Sequence, residues 1–454
     1  MDIFIILPNQ LFEPNTDFLS KFKKVYLIEE PHFFSADIKP NKIKIAYMRA
    51  CMRCYYDELL SHKIDVEYID FKALKSDNYS FLKNHKYRFY AYELNDFKLE
   101  EKYNNLSIDI NELDTPMFLM NRNDLDKYDK KSPSHATFYD FVKSKIGILE
   151  DVKNQDKYNR SNPKDKIKID YEVSYIDSNN TKYYQEAINY AKSSLFKVHV
   201  GDPNTENMRL YPINSKDAYK AYNYFLQNHF KSFGEYQDAI QKENPFMHHA
   251  LISPMLNIGL LNPIKLINQI RDYEHKVPIN AYEGFVRQVI GWREYMRYLY
   301  LYKHRDLESS NNFDNSKELD SSWYDATTGL EPIDTEIKKV LEYGYAHHIV
   351  RLMIFLNFFI INEIHPKYIY KWFMEVISID AYDWVMIPNI YSMGHFSSIG
   401  MRRPYLSSSN YVTKMSDYKR DGKWDLLWDD KYRSFVMSRK IGFYMGSIKK
   451  HVQK

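Results

Sequence analysis

The sequence predicts two units, an α/β domain on a mostly parallel sheet followed by a domain that is nearly all helix. Three observations predict it. Short apolar or aromatic runs at 3–7, 25–28, 66–69 and 89–92 alternate with turn residues and with a helical stretch at 43–60, the pattern that βαβ units require. Beyond about residue 196 the strand signals fade, and Ala218, Tyr222, Phe225 and His229 recur at helical spacing. At 454 residues the chain exceeds one ordinary core, so two domains are the natural partition. This reading places the α/β domain at 1–130, a connector at 131–195 and the helical domain at 196–454.

Each element has its own warrant. The opening M-D-I-F-I-I-L-P has no basic lead and no cleavage site, so it reads as a first strand. Ligands of parallel sheets sit at the carboxyl ends of strands, and those ends carry Asn9, Gln10, Glu29 and Glu30. The stretch 121–195 is rich in Lys, Asn and Asp with little periodicity, which reads as a long connector with ordered patches. Helical spacing returns at 335–345 and 349–362. The apolar run near 355–361 is too short to cross a bilayer and is flanked by charges, so no membrane is expected.

Composition removes several classes. Glycine is scarce, 13 residues, and neither G-x-G-x-x-G nor G-K-[ST] occurs, against a dinucleotide fingerprint or a P-loop. A net charge of +3 is too small to argue nucleic-acid binding by itself. Cys51 and Cys54 are the two cysteines, which excludes a disulfide framework, fits a reducing compartment and rules out a four-cysteine iron–sulfur cluster. Without a second ligand pair they read as packing rather than zinc ligands.

The chemistry concentrates later. In E-G-F-V-R-Q-V-I-G-W-R-E-Y (283–295), Arg287 follows Glu283 by four residues and Trp292 follows Gln288 by four, so each pair shares a helix face. That set is costly to group unless it holds something polar and planar. Arg287 and Arg293 suit a pyrophosphate or carboxylates, or else structural ion pairs, and Trp292 reads as core or as cofactor wall. Ser253, before Pro254, reads as a helix cap that frees backbone N–H groups for a phosphate, or as an ordinary cap. In A-H-H-I-V-R-L-M (346–353), Arg351 lies one turn after His347–His348. Adjacent helical histidines point about 100° apart, and no H-E-x-x-H occurs, so a proton donor fits better than a metal ligand; a buried, hydrogen-bonded histidine is the plain alternative. Trp323, Trp372, Trp384, Tyr382, Tyr405 and Tyr411 read mostly as core.

Five ordered motifs then carry a resemblance: F-G-E-Y-Q-D-A-I (233–240), H-H-A-L-I-S-P-M-L-N-I-G-L-L-N-P (248–263), E-G-F-V-R-Q-V-I-G-W-R-E-Y-M-R (283–297), G-Y-A-H-H-I-V-R-L-M (344–353) and D-A-Y-D-W-V-M-I-P-N (380–389). Over essentially its whole length the chain resembles the photolyase–cryptochrome superfamily, in the deoxyribodipyrimidine photolyase-related branch with the iron–sulfur bacterial cryptochromes and (6-4) photolyases. The resemblance implies a Rossmann-like α/β antenna domain and an all-α domain that binds flavin adenine dinucleotide (FAD). By motif position Tyr236, Ser253, Gln288, Trp292 and Arg293 line the flavin, its phosphates or the adjoining lesion pocket. Arg351 and Asp380 resemble the pair beside the isoalloxazine, and His348, with His347 beside it, falls where (6-4) photolyases keep an essential histidine. Tyr405 resembles a lesion-site tyrosine. K-N-Q-D-K-Y-N-R (153–160) looks like the metal-dependent DNA-side loop and places Asp156 near the lesion, and Asn9, Gln10 and Glu30 sit where the branch binds a lumazine-type antenna.

The implied activity is light-driven repair of UV-damaged DNA by electron transfer from reduced flavin to a flipped-out lesion. Gln288, where many cyclobutane enzymes have glutamate, favours (6-4) photoproducts. A cyclobutane-dimer photolyase and a cryptochrome-like blue-light sensor are the alternatives. The chain's end at H-V-Q-K, soon after its last helical signal, favours repair over signalling. A monomer is expected, in the cytoplasm or nucleus wherever the DNA is. Three departures stand out. M-S-D-Y-K-R-D-G (415–422) replaces the cluster's M-S-D-Y-C-x-x-C and Pro332 an upstream cysteine, so no iron–sulfur cluster is expected and Lys419 or Trp424 must fill that corner. Phe373 after Trp372 replaces a tyrosine relay, which points photoreduction through Tyr382 and Tyr411. Met386 replaces an acidic residue near the flavin N5.

Overall fold

The computed structural model describes residues 1–442 except 78, 84–85, 129–131, 162–175 and 378. Part of the expected connector and the terminal H-V-Q-K therefore lie outside the described residues.

Five strands, β1 (Asp2–Ile6), β2 (Lys24–Ile28), β3 (Val66–Ile69), β4 (Arg88–Tyr92) and β5 (Ile110–Leu113), form one sheet in the order β3-β2-β1-β4-β5. Every neighbouring pair is parallel. Ile3 through Leu7 are buried, as a strand covered on both faces must be, which is why its sequence reads as an unbroken apolar run. β5 was not legible: I-N-E-L has exposed and half-buried side chains, and it becomes a strand by pairing with β4 at the sheet edge, Phe89 opposite Ile110. The order in which successive strands are added reverses between β1 and β4, a position where parallel sheets leave a crevice.

Helix Lys42–Ser61 starts where the Asn41 side chain accepts from the Ile43 N–H, and it packs against helix Thr181–Ala191 with Arg49 bonded to Glu186 at 2.8 Å. The stretch read as a connector also holds helices Arg122–Tyr128 and His135–Ile146. Their apolar periods are too short to register among so many Lys, Asn and Asp residues.

Beyond it the fold is helical. Helix Ile279–Val286 runs through a wider-wound turn, Arg287–Trp292, into helix Arg293–Glu308. Equivalent π-type turns occur at Val350–Leu356 and Asn389–Met393. Such turns insert a residue into the helical ladder and re-aim side chains. The two halves are clamped by the W-R-E-Y-M-R stretch. Arg297, fully buried, bonds Glu93 at 2.6 Å and Asn95 at 3.0 Å, and Glu294 accepts from the Leu119 N–H at 2.9 Å. Among the described residues no helix is long and apolar enough to cross a membrane.

Candidate functional site

Two adjoining cavities open in the helical half. The inner one, about 280 Å³, is lined by Ser253, Arg293, Arg351, Phe373, Asp380 and Met386 among others. The outer one, about 520 Å³, is lined by Asp156, Arg160, Asp238, Arg287, Tyr405 and Tyr411. Gln288, Trp292 and His348 belong to both walls. Each of the three wide turns feeds this junction, giving Gln288 and Trp292, then Leu352, then Met393. Sequence reasoning missed those turns, because a single inserted residue leaves no periodic signal.

In the inner cavity Arg351 grips Asp380 with two nitrogens, at 2.9 and 3.0 Å. Asp380 also accepts the Ser253 hydroxyl at 2.6 Å, and its backbone carbonyl accepts the Asn257 amide at 2.9 Å. Ser253 is therefore not the cap expected of it. It is the first residue of helix Ser253–Ile258, no side chain caps that helix, and its hydroxyl goes to the carboxylate, the stronger acceptor. Arg293 donates to the Met117 carbonyl at 2.7 Å and lies over the rings of Phe118 and Trp384, while the nearest carboxylate oxygen, on Glu294, is 3.9 Å away. Burial pushes its pKa down to about 10. A buried guanidinium without a close carboxylate, beside a second arginine, suits an anionic group such as a diphosphate.

His347 is buried and its Nδ1 has no partner; burial, and then the neighbouring His249, hold its pKa well below the usual histidine range. Burial and Arg351 push His348 down to about 4, although its ring is open to cavity solvent, which limits the displacement. Both rings are thus neutral at physiological pH in the protein by itself.

The outer wall is held by ion pairs. Asp156 bonds Arg160 at 2.8 Å and Arg287 at 3.2 Å, and Arg287 bonds Glu283 at 3.1 Å. Glu283 also accepts the Gln155 N–H at 3.1 Å, so the 153–160 loop is anchored to the helix that carries Gln288. For Arg287 the structural ion pair is the role the contacts show. Among the described residues no group of three or more His, Cys, Asp or Glu could hold a metal. Asp238, beside Asp156, is raised to about 7, by burial first and Asp156 second. Trp292 is stacked on His135, centroids 3.7 Å apart at 14°. His135 was missed by sequence reasoning; its one signal is Ser134, which caps helix His135–Ile146. Tyr236 stands to the side, its ring 5.5 Å from that of His248.

A third cleft, about 660 Å³, separates the carboxyl ends of the strands from the helical half and is lined by His32, Lys44, Asp96, Lys98, Lys102 and Tyr382. Asn9, Gln10 and Glu30 are not among its lining residues. Gln10 donates to the Tyr92 carbonyl at 2.9 Å, and Glu30 accepts from Tyr79, Tyr103 and Lys102 at 2.6–2.8 Å. Lys44 is buried over the Tyr382 ring, and burial lowers its pKa to about 7.

Trp372 contacts Phe355, Phe359 and Phe373, and its Nε1 donates to the Trp323 carbonyl at 2.7 Å. Trp323 in turn packs on Phe359 at 4.3 Å. Among the described residues no ring contact joins Trp372 to Tyr382, which packs on Phe33, or to Tyr411, which lines the outer cavity. The corner of the altered cysteine motif is filled by Trp424, which donates to the Lys419 carbonyl at 3.0 Å, and by a buried Glu336 bonded to Lys339 and Tyr418.

Comparison with known proteins adds the following. Residues 4–208 match the family model described as deoxyribodipyrimidine photo-lyase-related protein. A (6-4) photolyase of Agrobacterium fabrum is 37% identical over 219 residues, 47% of this chain and 43% of the relative, so the match spans under half that relative's length. The crystal structure of a bacterial class III photolyase from Agrobacterium tumefaciens shares the fold with a TM-score of 0.59 at 15% identity, over 96% of this chain and 86% of the other. That of the Synechocystis cryptochrome does so with a TM-score of 0.62 at 12% identity, over 94% and 88%.

Proposed function

The chain belongs to the deoxyribodipyrimidine photolyase-related family, and from that premise we propose that it is a light-driven, FAD-dependent DNA photolyase, with (6-4) photoproducts as the favoured lesion. The observation that carries the reading is the shared wall of the two cavities, where Gln288, Trp292 and His348 face both. Bound flavin supplies the photoexcited electron.

The chain's own residues do the rest. Arg293 and Arg351 give the inner cavity its positive charge, and Asp380 orients Arg351. Trp292, pinned flat by His135, offers a stacking face to an extruded base. Arg160, Arg402 and Arg403 at the outer mouth suit backbone phosphates. His348 is the proton donor to the lesion; it is neutral in the protein alone, and the negative charge of bound DNA raises its pKa toward the protonated form. That low proton affinity is also what favours the second reading, a cyclobutane-dimer photolyase, which needs only bond scission. A cryptochrome-like sensor is the reading left if neither lesion is repaired.

The partition into an antenna-type domain at 1–130, a linking stretch at 131–195 and a flavin domain at 196–454 belongs to the same proposal, as does a monomeric state. An antenna chromophore, lumazine-type or otherwise, would occupy the third cleft, with Glu30 acting through Lys102 and Tyr79. A divalent ion at Asp156 would have to displace Arg160. We take Trp372 and Trp323 as the photoreduction path, since Tyr382 and Tyr411 stand apart from them. The chain's two cysteines, Cys51 and Cys54, are too few for a four-cysteine iron–sulfur cluster.

The test is light-dependent repair of two oligonucleotides, one with a defined (6-4) lesion and one with a cyclobutane dimer. His348→Ala should abolish (6-4) repair while the flavin absorbance stays. Unchanged (6-4) repair in that variant removes the histidine mechanism, and repair of the dimer alone moves the assignment to the second reading.

A further inference from the structure

Three histidines line the inner cavity, His249, His347 and His348, and they differ in what their ring nitrogens meet. His249 Nδ1 lies 2.8 Å from the Phe246 carbonyl oxygen, and Nε2 lies 3.1 Å from that of Gln237. A carbonyl oxygen only accepts, so both contacts are hydrogen bonds only when each nitrogen carries a proton. His347 is the opposite case. Its buried Nδ1 has no partner, so charging that ring would leave at least one buried N–H without an acceptor. The two rings stack face to face, centroids 4.5 Å apart at 16°, and like charges at that distance exclude each other.

The charged and titratable groups around the stack are Lys339, His348 and Arg351 on the His347 side and His248 on the other. Each is cationic or becomes so on protonation, and the carboxylates beside them, Glu336 and Asp380, are engaged by Lys339 and Arg351. In the protein alone burial keeps His249 below the usual histidine value, while the two carbonyls pull it back up. An anion in the cavity changes the sign of the local field and leaves the two carbonyls to decide.

We propose that His249 takes up one proton from solvent when an anionic dinucleotide binds the inner cavity, so that the wall then presents three cations, Arg293, Arg351 and His249, while His347 stays neutral across the stack. This rests on the reading of that cavity as the FAD site. No electron moves and no bond other than N–H forms. Of the three rings, His249 alone is built with acceptors for two N–H groups, and so holds the added proton in a fixed place.

The experiment is calorimetric titration of flavin-free protein with FAD at pH 7.5, in two buffers that differ in ionisation enthalpy. The expected result is uptake of about one proton per FAD and an affinity that falls as pH rises, by at most about tenfold per unit. In His249→Gln, FAD should still bind, with uptake near zero and a flat pH dependence. Binding without uptake, or equal uptake in the variant, overturns the inference while leaving the flavin reading intact; absence of FAD binding overturns both. Imidazole ¹⁵N shifts of the wild-type protein need no variant. An imidazolium at His249 with FAD bound supports the proposal, and a neutral tautomer there refutes it.

Discussion

Replacing Asp380 by asparagine tests the electrostatic core of the site. The wild-type carboxylate holds Arg351 through two contacts, at 2.9 and 3.0 Å, and takes the Ser253 hydroxyl at 2.6 Å. The side chains of Arg351 and Asp380 are 12% and 7% exposed. The substituted amide would keep the shape but remove the charge, and its N–H would oppose either Arg351 or the Ser253 hydroxyl. Removing one partner of a fully buried ion pair costs about 3–5 kcal/mol; the cavity opening beside Arg351 lowers this to about 2–3 kcal/mol. The assay is urea unfolding of the flavin-free protein, followed by tryptophan fluorescence. The double variant Asp380→Asn/Arg351→Met should recover part of the loss, because it removes the stranded cation. A loss below about 0.5 kcal/mol, or a double variant as unstable as the sum of the singles, would refute the claim that this pair is buried and coupled.

Three further outcomes follow from the same geometry. A Cβ on Gly234 would sit 2.5 Å from Ala281 Cα, and closer still to its nitrogen. Gly234→Ala must therefore push helix Phe230–Tyr236 off helix Ile279–Val286, at about 1–3 kcal/mol or more; an unfolding midpoint equal to wild type would show that the helices do not meet this closely. Asp238, raised to about 7, carries a carboxyl whose stabilising contribution is present at low pH and lost as pH rises through that value. Because the loss runs from the ordinary carboxylate value up to about 7, the advantage of Asp238→Asn over wild type should be larger at pH 8.5 than at pH 5, and an advantage of equal size at both would show that burial does not control the group. Trp323→Phe should slow blue-light reduction of the bound flavin more than Tyr382→Phe or Tyr411→Phe, since Trp323 is the residue joined to Trp372. The reverse order, followed by absorbance, would restore the tyrosine route.

Much of the site was legible because its residue types are expensive to group. Arg351 with Asp380, and Gln288 with Trp292 and His348, do converge on two joined cavities. Other residues take contacts that their local sequence does not announce. Ser253 turned from a cap to a carboxylate ligand because Asp380, remote in sequence, offers the better acceptor. Arg287 is held in ion pairs with Glu283 and Asp156. Glu30 is surrounded by Tyr79, Tyr103 and Lys102, donors from two different segments that no local pattern connects to it.

The sequence by itself determined the parallel sheet and the helical half, because burial on both faces of a strand and on one face of a helix writes a period into the chain. It also supplied the cysteine count, two, on which the expectation of no four-cysteine iron–sulfur cluster rests. Tertiary structure alone decided β5, the three wide turns, the His135–Trp292 and His249–His347 stacks, and the ion pairs that occupy Asp156. Each of these depends on which distant segment arrives beside a residue. Periodicity records how a segment faces the core, and it carries no information about which partner waits there.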